Sequence, residues 1–152
     1  MDPIFKKLNY KDQTYIVILN APESFREHLD AIEGLTTIHT DWKVDKIDFV
    51  LCFVTQKKEI AAFAEGLLDR LDGDALVWVA YPKKSSKKYN SDISRDDGWQ
   101  PLGELELEGV RMVAIDTDWS ALRFRKVAFI KNLTRRKSMT LSKAAKDKTS
   151  GK

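Results

Sequence analysis

The sequence predicts a three-layer α/β fold: a mostly parallel sheet between helices, closed by an antiparallel C-terminal hairpin strand. Three observations predict it. Residues 14–19 (TYIVIL), 47–54 (IDFVLCFV) and 75–81 (ALVWVAY) are continuous apolar runs, as in strands covered on both faces. Helical segments stand between these runs, so the strands connect by right-handed crossovers and lie parallel. Finally, residues 120–127 alternate Leu122 and Phe124 with Arg123 and Arg125, the pattern of a half-exposed strand returning antiparallel at or near a sheet edge.

Taken in order, residues 1–13 are polar with scattered apolar anchors (Ile4, Phe5, Leu8, Tyr10) and read as a lead-in segment. After the first strand, Asn20-Ala21-Pro22-Glu23-Ser24 turns into a helix. Proline suits its first turn, Glu23 suits its positive end, and Phe25, Leu29 and Ile32 share a face that Gly34 terminates. Residues 35–40 (LTTIHT) form a short strand and residues 42–45 a loop. Residues 57–71 give the clearest helix, with Ile60, Phe63, Ala64, Leu67, Leu68 and Leu71 on one face and Asp72-Gly73-Asp74 as its stop. After the third buried strand come Pro82 and a lysine-rich loop, KKSSKKYNSD. Ser94 and Asp97 resemble a capping box, and Trp99, Leu102 and Leu105 supply an apolar face, which predicts a helix over about 95–106. Residues 110–115 are the fourth strand, and Asp116-Thr117-Asp118 turns into the last.

The totals place this in one globular domain, residues 14–130, with the lead-in before it and a tail, 131–152, behind it. At 152 residues, 43% hydrophobic and 32% charged, the chain buries a full core without metal or disulfide staples. Its single cysteine, Cys52, sits inside the second apolar run and reads as an inert buried thiol. There is no apolar leader and no stretch able to span a bilayer, so the expected location is the cytoplasm. The net charge of +3 is unevenly spread: residues 131–152 hold eight Lys/Arg and one acid, which leaves 18 Lys/Arg against 22 acids in residues 1–130.

In a parallel sheet the strand-to-helix loops emerge on one edge, where ligands bind in open α/β folds. That edge gathers Asn20, Lys83, Lys84, Ser85, Asp116, Trp119 and Ser120: two lysines, small hydroxyls and an aromatic plate suited to a small anionic ligand. Against this stand the ordinary readings of solvated loop lysines and a packing tryptophan, with Asp92, Asp96 and Asp97 repelling an anion. No catalytic set is legible. His28 and His39 have no partners at metal-ligand spacing, and neither a phosphate-binding P-loop nor a serine elbow is present. Where a dinucleotide fold places G-x-G-x-x-G, this chain has NAPESF.

The segments IVILNAPESF, DFVLCFV, LVWVAYPKKSSK followed by SDI, and LEGVRMVAIDTDWSALRF resemble a family of small bacterial proteins defined only as a domain of unknown function, over about residues 14–127. That family is similar in strand and helix order to Rossmann-like folds, including the class I methyltransferases that use S-adenosylmethionine. The resemblance implies a Rossmann-like fold and leaves activity open. The glycine-rich loop is missing, and residues 35–40 end in Thr40 where those enzymes carry an acid.

With eight positive charges and few apolar anchors, the tail is expected to be disordered. Arg135, Arg136, Lys137 and Lys143 would bind nucleic acid electrostatically if the tail does more than solubilise. The sequence thus predicts a non-catalytic binding or regulatory module with no cofactor. The alternatives are a divergent transferase using Lys83, Lys84, Asp116, Trp119 and Ser120, a nucleic-acid-associated protein acting through the tail, and a homodimer joined at the edge strand near Arg123 and Arg125.

Overall fold

The computed structural model of the protein describes residues 1–130, so the tail and its candidates Arg135, Arg136, Lys137 and Lys143 lie outside the described residues. The chain forms α1 (Pro3–Lys7), β1 (Tyr15–Leu19), α2 (Arg26–Ile32), β2 (Thr37–His39), β3 (Ile47–Phe53), α3 (Lys57–Leu67), β4 (Leu71–Pro82), α4 (Gln100–Gly103), β5 (Leu107–Ala114) and β6 (Trp119–Lys126). Its six strands make one sheet in the order β2-β1-β3-β4-β6-β5. β1 to β4 pair in parallel, whereas β6 is antiparallel to both of its neighbours, so β5 again runs with the parallel set. The predicted class, a mostly parallel sheet with an antiparallel hairpin strand, is the one observed.

The continuous apolar runs fill two cores, because alternate side chains of a strand point to opposite faces. One face packs Val17, Val50, Cys52, Val77, Val79 and Phe124 under α3 and α4. The other packs Ile16, Ile18, Phe49, Leu51, Trp78 and Ala121 under α1 and α2. On α3, Ile60, Phe63, Ala64 and Leu67 are buried, and each large one contributes roughly 1.5–3 kcal/mol. Its start is fixed by Glu59, whose carboxylate accepts from the Gln56 and Thr55 backbone N–H groups, both at 2.9 Å. It ends four residues before Leu71, since Leu68 is exposed and Asp69 turns left-handed at φ 66°. Leu71 instead opens β4 opposite Ile47.

Four expectations need correction. The lead-in is part of the core: Asp2 caps α1 by accepting from Ile4 and Phe5 N–H at 3.1 Å, and Phe5 and Leu8 are fully buried. Trp78, at the centre of β4, donates its indole N–H to the Leu8 carbonyl at 2.9 Å. The helix expected over 95–106 is only the turn α4, because Gly98 sits at φ 108° and Pro101 is tolerated only in a first turn. Ser94 does not cap it but pairs with Asp97 as an isolated bridge. Last, β6 is not at the edge. It lies between β4 and β5, and the exposed ladder belongs to β5, so an edge-to-edge dimer through Arg123 and Arg125 has no free edge there.

Candidate functional site

The strand order reverses beside β1: the chain steps from β1 to β2 on one side and to β3 on the other. Such a switch point opens a crevice beyond the carboxyl ends of the two diverging strands. At the end of β1 stands Asn20, exposed and left-handed at φ 59°, a conformation that favours glycine and tolerates asparagine. Its side-chain amide lies 3.9 Å from Cys52 Sγ at the end of β3. Burial pushes the Cys52 thiol up to about 12, with the Glu59 charge adding to the rise and the Asn20 amide opposing it, so this sulfur stays protonated and unreactive. Beyond β3, Thr55 adds its hydroxyl to the Glu59 carboxylate at 3.1 Å.

The β4 end is closed by the long connection to α4. Tyr89 packs on the α1/α2 face, while Ile93, Trp99 and Leu102 pack under α3, so this segment crosses over the sheet edge from one core to the other. It is strapped to the start of α3 by Lys57, whose backbone N–H donates to Asp92 Oδ1 at 2.7 Å and whose ammonium donates to Asp97 Oδ2 at 2.5 Å. That hydrogen bond holds the Asp97 carboxyl below its ordinary range. The amino end of α3, the natural seat for an anion, is therefore already filled by Asp92 and Glu59.

The candidate residues divide into two groups. Asn20 belongs to the switch point. Lys83, Lys84, Ser85, Asp116, Trp119 and Ser120 gather at the ends of β4, β5 and β6, with β3 between them and Asn20. In that second group Asp116 is structural: its Oδ1 accepts from the Asp118 and Trp119 N–H groups at 2.8 and 2.9 Å. The Lys83 N–H donates to the Asp118 carbonyl at 2.8 Å, and Ser120 pairs within the sheet to Tyr81 and Ala114. Lys84 and Ser85 are exposed.

One organising residue was not singled out from the sequence. Ser86 donates its hydroxyl to Asp118 Oδ1 at 2.8 Å while accepting from the Lys88 and Tyr89 N–H groups at 3.3 and 3.2 Å. The signal for this hub is the serine-then-turn spacing of KKSSKKY, which allows a hydroxyl to reach backbone two and three residues on.

Trp119 is 3% exposed, with ring centroids 5.1 Å from Phe53 and 4.8 Å from Tyr89. Phe53 in turn stands 5.0 Å from Phe25, so an aromatic row runs from the loop after β1 to the loop after β4. The Trp119 indole N–H is buried without an acceptor, a defect worth about 1–3 kcal/mol. Among the described residues no group of three or more His, Cys, Asp or Glu side chains is placed to hold a metal, and no helix is long and apolar enough to cross a membrane.

No protein-family model matches the chain, and no curated protein does. Solved structures do resemble it. A SAM dependent methyltransferase from Aquifex aeolicus is 13% identical with a TM-score of 0.53, covering 82% of this chain and 88% of that one. A fibrillarin pre-rRNA processing protein from Methanococcus jannaschii is 16% identical with a TM-score of 0.49, covering 76% and 68%. At such identities the first likeness is one of architecture: the chain has a Rossmann-like fold.

Proposed function

We propose that this protein is a divergent transferase of methyltransferase-like fold, binding a small molecule in the crevice beyond the carboxyl ends of β1 and β3. The observation that carries this reading is the sheet order, with its switch point between β1 and β3 and its antiparallel strand slotted between β4 and β5. The Aquifex aeolicus methyltransferase is similar in fold over most of both chains. Between the transferase and the non-catalytic module, this one has the better support.

The residues at the crevice do not fit S-adenosylmethionine held in the glycine-rich manner. Asn20 makes the left-handed turn, but Ala21 adds a Cβ and Pro22 removes a backbone N–H where such a loop approaches its ligand. β2 ends at His39, and the nearest following acid, Asp41, is exposed and accepts the Lys43 N–H at 2.9 Å. This same mismatch favours the second reading, a non-catalytic module that binds at the same crevice.

Thermal unfolding against S-adenosylmethionine, nucleotides and sugar phosphates tests the proposal. A ligand at a hundred times its Kd adds about 2.7 kcal/mol, and a chain of this size shifts by roughly 2–4 °C per kcal/mol. Asn20→Gly keeps the turn and removes the side chain, so the expected result is an unchanged melting curve with a diminished ligand shift. Recovery of a shifting ligand chemically unaltered, after incubation with the protein and a panel of hydroxyl, amine and thiol acceptors, selects the module over the transferase. A flat panel overturns both small-molecule readings.

A further inference from the structure

The β5–β6 ladder slips by one residue at a single point. From Leu107 to Gly109 the strands pair regularly, with Glu108 opposite Arg125 and Gly109 opposite Phe124. Beyond the slip Arg111 faces Arg123, followed by Met112 facing Leu122. Continued without the slip, the ladder would set Val110 opposite Arg123. The extra residue replaces that valine with an arginine. A bulge of this kind gives up ladder pairing and re-aims a side chain, and its result here is to set two guanidinium-bearing residues side by side on the α1/α2 face.

Like charges directly opposite each other across a ladder are destabilising, with Cβ atoms roughly 4.5–5.5 Å apart. The charge of Asp74 partly offsets the pair at Arg123, but no hydrogen bond or ion pair among the described residues holds it. Arg125, the next residue on that face of β6, is engaged by Asp74, whose oxygens accept from its Nε and Nη2 at 2.7–3.0 Å. Among the described residues no ion pair holds Arg111 or Arg123. Arg111 is exposed on the edge strand. Arg123 is half-buried, its other cross-strand neighbour is the fully buried Trp78, and its Nε–H has no acceptor. Burial first, and then the charges of Arg125 and Arg111 against the opposing Asp74, pull its pKa below the usual guanidinium value.

We propose that Arg111 and Arg123 form a binding site for a phosphate group. A guanidinium is a planar fork of donors that meets an oxyanion with two parallel hydrogen bonds. One fork saturates a carboxylate, whereas a phosphate has oxygens enough to accept from two. It would cancel the repulsion that the bulge creates. The open edge at Arg111 admits the ligand. The site lies four residues along β6 from Trp119, so it does not depend on the crevice beyond β1 and β3.

The same phosphate chemistry is offered by a free ester and by a nucleic-acid backbone. To test the site, the full chain is titrated with inorganic phosphate while the arginine Nε–H signals are followed by 1H–15N NMR, with sodium chloride of equal ionic strength as control. A fluorescent single-stranded DNA is titrated in parallel. The expected result is a saturable movement of the Arg123 Nε–H signal with phosphate and not with chloride. Arg111→Ala, at an exposed position, should weaken binding about tenfold or more, the size of one charge-assisted contact. Arg123→Lys, which keeps the charge and loses the fork, should weaken it as well. DNA binding that falls in the same variants assigns the phosphate to a nucleic acid. Loss confined to inorganic phosphate assigns it to a small ester. An unmoved Arg123 signal, movement equal to that with chloride, or undiminished binding by Arg111→Ala overturns the proposal.

Discussion

Two buried tryptophans show what a single polar atom does. Trp78 and Trp119 are both buried, but only Trp78 satisfies its indole N–H, on the Leu8 carbonyl. Trp78→Phe should lower the unfolding free energy by about 1–3 kcal/mol, because it leaves a buried carbonyl without its donor. Trp119→Phe keeps most of the ring and removes an unmatched donor, so its stability should equal or exceed that of the parent in urea unfolding. Cys52 carries a second residue-scale expectation. Its folded pKa of about 12 lies above the ordinary 9.0, so the stability held by the neutral buried thiol is fully present below pH 9.0 and is lost as pH rises toward 12. Cys52→Ala should therefore flatten the alkaline limb of the stability curve across that window, measured by denaturant titration at each pH. The inertness of this thiol was legible from its position inside an apolar run. The orphaned indole was not, since tryptophan reads alike whether or not its nitrogen finds a partner.

At the scale of elements, the strands were legible and the loops were not, for reasons that differ from case to case. The apolar run 47–54 can be satisfied only by cover on both faces, which leaves a strand of a central sheet as its reading. The segment 95–106 supplied the same apolar spacing as a helix, yet Trp99 donates to the Ser94 and Arg95 carbonyls at 2.9 and 3.1 Å and holds the chain in a tight turn. Alternation along β6 reports burial and says nothing about ladder neighbours, so the strand was rightly read as lying at or near an edge, while the exposed edge itself belongs to β5. Helix α3 offers the clearest test at this scale. Gly66→Ala would ordinarily favour a helix by about 0.5–1 kcal/mol. Here the added Cβ would lie 2.2 Å from the Trp42 ring, which stacks near Phe63 at 5.9 Å and lies under Arg70 at 5.5 Å. The expected outcome is a loss of about 1–3 kcal/mol by thermal unfolding, recovered in part when Trp42 is also truncated.

Across the whole molecule, the two cores depend on parts of the chain that look peripheral in sequence. Removing residues 1–10 strips Ile4, Phe5, Leu8 and Tyr10 from the α1/α2 face, each fully buried large apolar side chain being worth roughly 1.5–3 kcal/mol. Against a total stability of about 5–15 kcal/mol, the shortened chain should show no cooperative melting transition by circular dichroism. The fold class was legible because every strand run and α3 agreed on it. The site was legible only as an edge, because the ladder slip that brings Arg111 to Arg123 and the crossing of the Tyr89 segment over the sheet have no local signature. The order β4-β6-β5 also bears on synthesis. The ribosome delivers β4, which ends at Pro82, well before its partner β6 begins at Trp119, and the intervening β5 has no direct pairing to make with β4. Until the last strand arrives, the apolar ladder of β4 stands open to any passing nascent chain. A translational stall or premature stop in that interval therefore yields a species that aggregates, while a few residues more yield one that folds.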